Sequence, residues 1–321
     1  MRKEHDFSKS IKNPYAETFE TQEGSVFSPM YVGNLEIANR LMMAPMGLNV
    51  VPRTGDITED AEHYFLERAR GGVGLIMLSS SGWARMDGAH PSVPFGQVSL
   101  YQEKHCDGYR RLLASLKHTG VRTGVKVGIQ LSHRGRQATT KDFGYPPVAP
   151  SAAPWSPRAE VPQALTTDEI NRLVERFGKA AAIAKAVGFD LVEVHASHGY
   201  LINNFLSPDS NRREDAYGGD LQGRAKFLLD IIKSIRSEVG ACFPVSVRIN
   251  GSDNTKTGLT IEDSKRIAHL LESAGTDLIS VSGGVNGSFP LTIAPYYHEK
   301  ACYTPFSEEI RRNRPFSPSK L

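Results

Sequence analysis

The stretch TTDEINRLVERFGKAAAIAKAVGFDLVEVH, Thr166–His195, decides how the chain is read. Its apolar residues recur at the three- and four-residue spacing of an amphipathic helix. The helix opens at a Thr-Thr-Asp cap and stops at Gly188, a residue suited to a helix C-terminus. FDLVEVH follows at once, too short and apolar for another helix, and reads as a buried strand. A helix running directly into such a strand is half of a parallel βα repeat.

The same unit recurs on both sides. Upstream lie the strands RLMMAPM (40–46), VGLIMLSS (73–80) and RTGVKVGIQLS (122–132), separated by the helix-like segments TEDAEHYFLERARGG, with Thr58 as cap, and YQEKHCDGYRRLLASLKHTG. Downstream, GRAKFLLDIIKSIRSEVG precedes FPVSVRIN, and TIEDSKRIAHLLESAG precedes DLISVSGG. Six strands joined by helices require parallel pairing through right-handed crossovers. The fold class is therefore α/β, either a TIM (β/α)8-type barrel or an open doubly wound sheet. No G-x-G-x-x-G follows a strand, which argues against a dinucleotide-binding doubly wound domain. The Pro-rich stretch Tyr145–Gln163 interrupts the alternation and suits either a binding loop over the barrel mouth or a plain surface loop.

Composition narrows the function. Of 321 residues, 38 are basic and 35 acidic, a net charge of +3 that gives no reason to expect nucleic acid or a membrane surface as partner. No apolar run reaches the roughly 18 residues of a spanning helix. Three scattered cysteines, Cys106, Cys242 and Cys302, form no metal-ligand spacing, and the N-terminus carries no apolar leader; the expected location is cytoplasmic.

The groups able to do chemistry gather at strand ends. His195 closes the strand DLVEV, with His198 and Tyr200 in the loop after it; two imidazoles can grip one electronegative atom and a phenol can supply a proton. The structural alternative makes one histidine a helix cap and Tyr200 a core residue. Gln130 and His133 end the third strand. Arg248 ends the fifth, where it meets either an anion or electron-rich group, or a neighbouring loop carboxylate such as Glu193. Ala44, Pro45, Met46 and Gly47 end the first strand, and Ser79, Ser80 and Ser81 the second. Carboxylate pairs, a Ser-His-Asp order and a metal cluster are all missing from this set. It suits a site that holds a flat cofactor and a polarised substrate.

The segments FSPMYVGNLEIANRLMMAPM, QLSHRGRQA and GFDLVEVHASHGYLINNFLSPDSNRREDAYGGDLQGRAKFLLDIIKSIR resemble the old yellow enzyme family of FMN-dependent NAD(P)H oxidoreductases. The subgroup is similar to bacterial NADH:flavin oxidoreductases and 2,4-dienoyl-CoA reductases. The likeness runs from about Val26 to Gly284. It implies a polar extension over residues 1–24 and one FMN-binding barrel domain over residues 25–321. It implies FMN as cofactor, NADH or NADPH as reductant, and a small enone-type substrate; a homo-oligomer is left open. Ala44, Pro45 and Met46 would line the flavin, Ser80 would sit near its pyrimidine edge, Gln130 would bond that edge, and Arg248 would face the side where negative charge develops. His195 and His198 would hold the carbonyl oxygen of an α,β-unsaturated substrate, and Tyr200 would protonate its α-carbon. Gly47 stands where some relatives carry cysteine or threonine. The larger dienoyl-CoA-type relatives add an iron–sulfur cysteine cluster and a second nucleotide domain, neither of which is expected here. The family holds the FMN phosphate with loops after strands 7 and 8, which the sequence does not reach. The expected barrel is therefore incomplete, with about six βα units and strands 7 and 8 missing. The alternative is a catalytically impaired truncated barrel, or a fragment, lacking the FMN phosphate site.

Overall fold

A computed structural model describes residues 25–48, 56–81, 103–119 and 124–312. The expected extension over residues 1–24, the tail from residue 313 and the side chain of Ser80 lie outside the described residues. In chain order the elements are β1 (Met30–Val32), β2 (Leu35–Ile37), β3 (Met42–Met43), α1 (Glu59–Arg70), β4 (Leu75–Ser81), α2 (Glu103–Lys117), β5 (Lys126–Ser132), α3 (Thr140–Phe143), β6 (Val148–Ala149), β7 (Gln163–Ala164), α4 (Thr167–Val187), β8 (Leu191–Ala196), α5 (Leu201–Leu206), α6 (Leu221–Val239), β9 (Val245–Asn250), α7 (Ile261–Ser273), β10 (Leu278–Ser282) and α8 (Thr304–Arg312). All six strands read from the sequence are present. They form one parallel sheet in the order β10-β9-β8-β5-β4-β3, an incomplete TIM-type barrel.

The helices start where the caps predict. Thr58 accepts from Ala61 N ahead of α1, and Thr166 and Glu169 form a reciprocal capping box at α4. Gly188 ends α4 in the left-handed region, at φ 107°. Register is fixed by two aspartates at strand starts: Asp190 Oδ2 accepts from Val127 N and Asp277 Oδ2 from Val245 N, both at 2.8 Å.

The two faces of the sheet differ. Val127, Ile129, Leu131, Val192, Val194, Ala196, Val245, Val247 and Ile249 join the main core against the helices. The opposite face changes character along the strands. At its N-terminal end Leu75, Met77 and Leu191 pack with Val32 and Ile37 of the β1–β2 hairpin. Gly128 makes room there, since a Cβ would sit 2.7 Å from Met77 Sδ and 2.9 Å from Leu191 Cδ2. Toward the C-terminal ends the same face becomes polar, with Gln130, Glu193, Ser246, Arg248, Asn250, Ser280 and Ser282.

The Pro-rich stretch is tied down at its base, where β6 pairs in parallel with β7. Arg213 reinforces this. Its Nη1 donates to Pro150 O and Leu165 O, and its Nε and Nη2 clamp Asp215. Asn211 Nδ2 donates to Phe205 O and Tyr217 O, both at 2.7 Å. The NRRE…YGG block is thus a clamp that holds the loop after β8 against the Pro-rich loop.

Candidate active site

Strand register sets the geometry. His195 of β8 lies directly opposite Arg248 of β9, and Arg248 opposite Ser280 of β10. Neighbouring parallel strands are about 4.8 Å apart, so these side chains share one layer of the inner face. One layer deeper, Gln130, Glu193 and Ser246 are aligned in the same way.

The structure brings His195, His198 and Tyr200 together. The His195 ring meets that of His198 at 5.1 Å and that of Tyr200 at 4.7 Å, both edge to face. Burial holds the His195 imidazole well below its ordinary pKa, with His198 and Arg248 adding to the shift. Burial, then Arg248, lowers that of His198 to about 3. Both rings are therefore neutral at physiological pH, and each offers one N–H and one acceptor nitrogen. Ser197 N donates to His195 Nδ1 at 3.3 Å, which assigns the His195 proton to Nε2. His198 Nε2 lies 2.7 Å from Ser282 Oγ, and that oxygen accepts from Arg248 Nη2 at 3.2 Å. The hydroxyl can then donate its proton to His198 Nε2, an arrangement in which the His198 proton sits on Nδ1. Each imidazole is left with one N–H donor.

The ring of His198 depends on an unusual backbone. His198 has φ 60° and Gly199 φ 73°, two successive residues in the left-handed region. For a residue with a Cβ this costs roughly 1–2 kcal/mol. Hydrogen bonds hold it in place: His198 N donates to Asn250 Oδ1, Gly199 N to Asn203 Oδ1, and Gln137 Nε2 to His198 O. A side chain at Gly199 would meet Gln137 Nε2 at 2.7 Å.

Arg248 does not form an ion pair with Glu193. Its Nη1 and Nη2 donate to Ser280 and Ser282, and its Nε is buried with no partner among the described residues. Glu193 is not a loop residue either. It lies inside β8, is fully buried, and accepts from Gln130 Nε2 at 2.8 Å and Ser246 Oγ at 3.0 Å. Burial raises its pKa, against the pull of Arg248, Gln130 and Ser246. With one Nε2 proton spent on Glu193, the Gln130 amide has its orientation set.

The other expected residues are placed differently. Ala44, Pro45 and Met46 follow β3 at the sheet edge remote from β10, and no bond ties them to the histidines. Met46 is about half exposed, and its sulfur accepts from Tyr64 Oη of α1 at 3.1 Å. Ser80 lies in β4, its side chain outside the described residues. His133 is buried, and its Nδ1 accepts from Gly135 N. Sequence reading missed Ser197, Ser246, Asn250, Asp253, Ser280 and Ser282. For Ser246, Asn250, Ser280 and Ser282 the signal was a polar residue at every second position of an apolar strand, as in VSVRIN and LISVS, whereas Ser197 and Asp253 lie beyond strand ends and carried no such pattern.

Residues 25–286 match the NADH:flavin oxidoreductase / NADH oxidase family. The chain belongs to this family. The family is FMN-dependent and takes its electrons from NADH or NADPH. The chain is 37% identical over 289 residues to an NADH oxidase of Thermoanaerobacter brockii, a match covering 90% of this chain and 43% of that protein. It thus spans less than half of that relative's length. It is 35% identical to an NADPH dehydrogenase of Geobacillus sp. (strain WCH70), covering 90% of this chain and 80% of the relative. Among solved structures, an old yellow enzyme homologue from Zymomonas mobilis superposes with a TM-score of 0.73 at 26% identity, covering 92% of this chain and 80% of that one.

The inner face fits the family's cofactor. Arg248, whose buried Nε has no partner among the described residues, and the Gln130 amide, two strands away and one layer deeper, are donors of the kind that a flavin's polar ring edge requires.

Proposed function

We propose that the chain acts as an FMN-dependent NAD(P)H oxidoreductase of the ene-reductase type, with a small α,β-unsaturated carbonyl compound as substrate. The observation that carries this reading is the joined pair of neutral imidazoles with Tyr200 beside them, one strand away from Arg248. When bound, FMN would supply hydride taken from NADH or NADPH.

The remaining steps belong to the side chains. Gln130 and Arg248 would hold the ring edge, and the fixed positive charge of Arg248 favours negative charge developing there. The Nε2–H of His195 and the Nδ1–H of His198 would donate to the substrate's carbonyl oxygen, drawing electrons from its β-carbon. Neutral rings serve this purpose because they polarise the oxygen without giving up a proton. Tyr200 Oη would protonate the α-carbon, the role of a positioned general acid. Ala44, Pro45, Met46 and Ser80 are carried in this proposal as further cofactor contacts.

No helix of the described residues is long and apolar enough to cross a membrane. A cytoplasmic location and partners confined to small molecules complete the proposal, in keeping with a sequence of only three scattered cysteines.

The test is a titration of the purified chain with FMN, followed by anaerobic addition of NADPH or NADH and then 2-cyclohexenone. Saturable flavin binding, bleaching by the nucleotide and recovery of colour on adding the enone are expected. A chain that binds FMN but is not reoxidised by any enone would remove the ene-reductase reading and leave the family intact.

A further inference from the structure

Asp253 lies three residues beyond the end of β9, is 2% exposed, and is assigned no step in the reaction above. Its carboxylate accepts four hydrogen bonds. Oδ1 takes them from Asn250 Nδ2 at 2.8 Å and Asn203 Nδ2 at 3.2 Å. Oδ2 takes them from Ser207 Oγ at 2.7 Å and Leu259 N at 2.9 Å.

An ionised carboxylate only accepts, so it dictates which end of a neighbouring amide faces it. Asn203 and Asn250 must both turn their NH2 groups toward Asp253. Their carbonyl ends then point away, and these are the ends that accept from Gly199 N at 2.7 Å and His198 N at 3.2 Å. The two N–H groups belong to successive residues in the left-handed region, so they gain no partner from helix or sheet. Rotating either asparagine by half a turn would set an NH2 group against a backbone N–H. Asn250 has a second restraint, since its Nδ2 also donates to Gly284 O at 3.1 Å. Among the described residues, the Nδ2 of Asn203 has Asp253 alone.

We propose that Asp253 is a positioning residue that acts through Asn203 and Asn250 to set the backbone of His198–Gly199, and so the placement of the His198 and Tyr200 rings. The proposal rests on the reading of that cluster as the carbonyl-gripping and proton-donating site. It deepens that reading by naming what keeps the cluster assembled. Asp253 reaches the site from the loop after β9, whereas His198 and Tyr200 lie in the loop after β8, so it couples the two loops.

Amide hydrogen exchange of the full chain tests this without cofactor or substrate. In Asp253→Asn, Gly199 is expected to exchange at least about tenfold faster and His198 a few-fold faster, with the amides of β8 and α6 within about twofold of wild type. Ser207→Ala removes one bond to Asp253 but leaves both asparagine arms, and should leave Gly199 within about twofold. Should Asp253→Asn fail to fold, Asn203→Ala and Asn250→Ala carry the test, the first expected to free Gly199 alone and the second His198 alone. Unchanged exchange at Gly199 in Asp253→Asn or Asn203→Ala, or uniform acceleration across the sheet, overturns the proposal. With FMN and NADPH present, Asp253→Asn should lower kcat for 2-cyclohexenone about tenfold or more, with KM for NADPH within a few-fold. A wild-type chain inactive toward enones would defeat the functional reading while the exchange pattern still decides the role of Asp253.

Discussion

Replacing Glu193 by glutamine tests whether the buried carboxyl is tuned as its surroundings imply. The substitution keeps the shape and keeps one acceptor for Gln130 Nε2. The second oxygen becomes an NH2 group, so the Ser246 hydroxyl must turn to accept and its own proton loses its partner. One buried donor left unpaired costs about 1–3 kcal/mol. Well below the ordinary carboxyl pKa of 4.5 the group is neutral in the folded and the unfolded chain alike, and the difference between the two proteins does not change with pH. Burial raises the folded value. Above 4.5 the unfolded chain therefore ionises first, and the wild type loses up to about 1.4 kcal/mol of stability per pH unit until the folded pKa is passed. Glutamine has no such loss, so the deficit of Glu193→Gln must shrink as pH rises. His195 and His198 titrate in both proteins, and their contributions cancel in the difference. Urea unfolding of both proteins at about pH 4.5, 6 and 8 reads this directly. A deficit that widens with pH would refute the reasoning. It would mean that Gln130, Ser246 and Arg248 stabilise the ionised carboxylate more than burial opposes it.

Three other outcomes are expected. His198 is neutral when folded but protonated below about 6.5 when unfolded, so the wild type should lose stability as pH falls from there toward about 3. His198→Asn should flatten that slope by up to one proton, about 1.4 kcal/mol per pH unit, and an unchanged slope in chemical denaturation counts against a buried neutral ring. Tyr200→Phe should slow enone reduction by about 10²–10⁴ in stopped-flow experiments, while reduction of the bound flavin by NADPH stays within a few-fold; equal loss in both half-reactions rules out the proton-donor role. Arg213→Ala removes the bonds to Pro150 O, Leu165 O and Asp215, and should cost about 2–4 kcal/mol. Limited proteolysis should then cut within residues 150–165, and protease resistance equal to wild type would show that the clamp contributes little.

The long, strongly patterned elements were legible. Thr58, Thr166 and Gly188 mark helix ends by local hydrogen bonding alone, and the apolar runs mark six strands, most plainly β5, β8 and β9, which are largely buried. The nearness of His195, His198 and Tyr200 was readable for the same reason, since they lie within six residues of one another. The partner of Arg248 was not. Glu193, two residues before His195, looked available for an ion pair, yet Arg248 binds two serines from β10, some thirty residues further along the chain.

By itself, the sequence determined which segments are helix and strand, their parallel order, and which residues can handle protons, because periodicity, caps and side-chain chemistry are local properties. The tertiary structure alone decided which polar side chains meet. Register sets His195 beside Arg248 and Gln130 beside Glu193, and burial then turns the histidines neutral and orients the amides around Asp253. Pairing between strands and exclusion of water are properties of the assembled sheet, so no single stretch of sequence carries them.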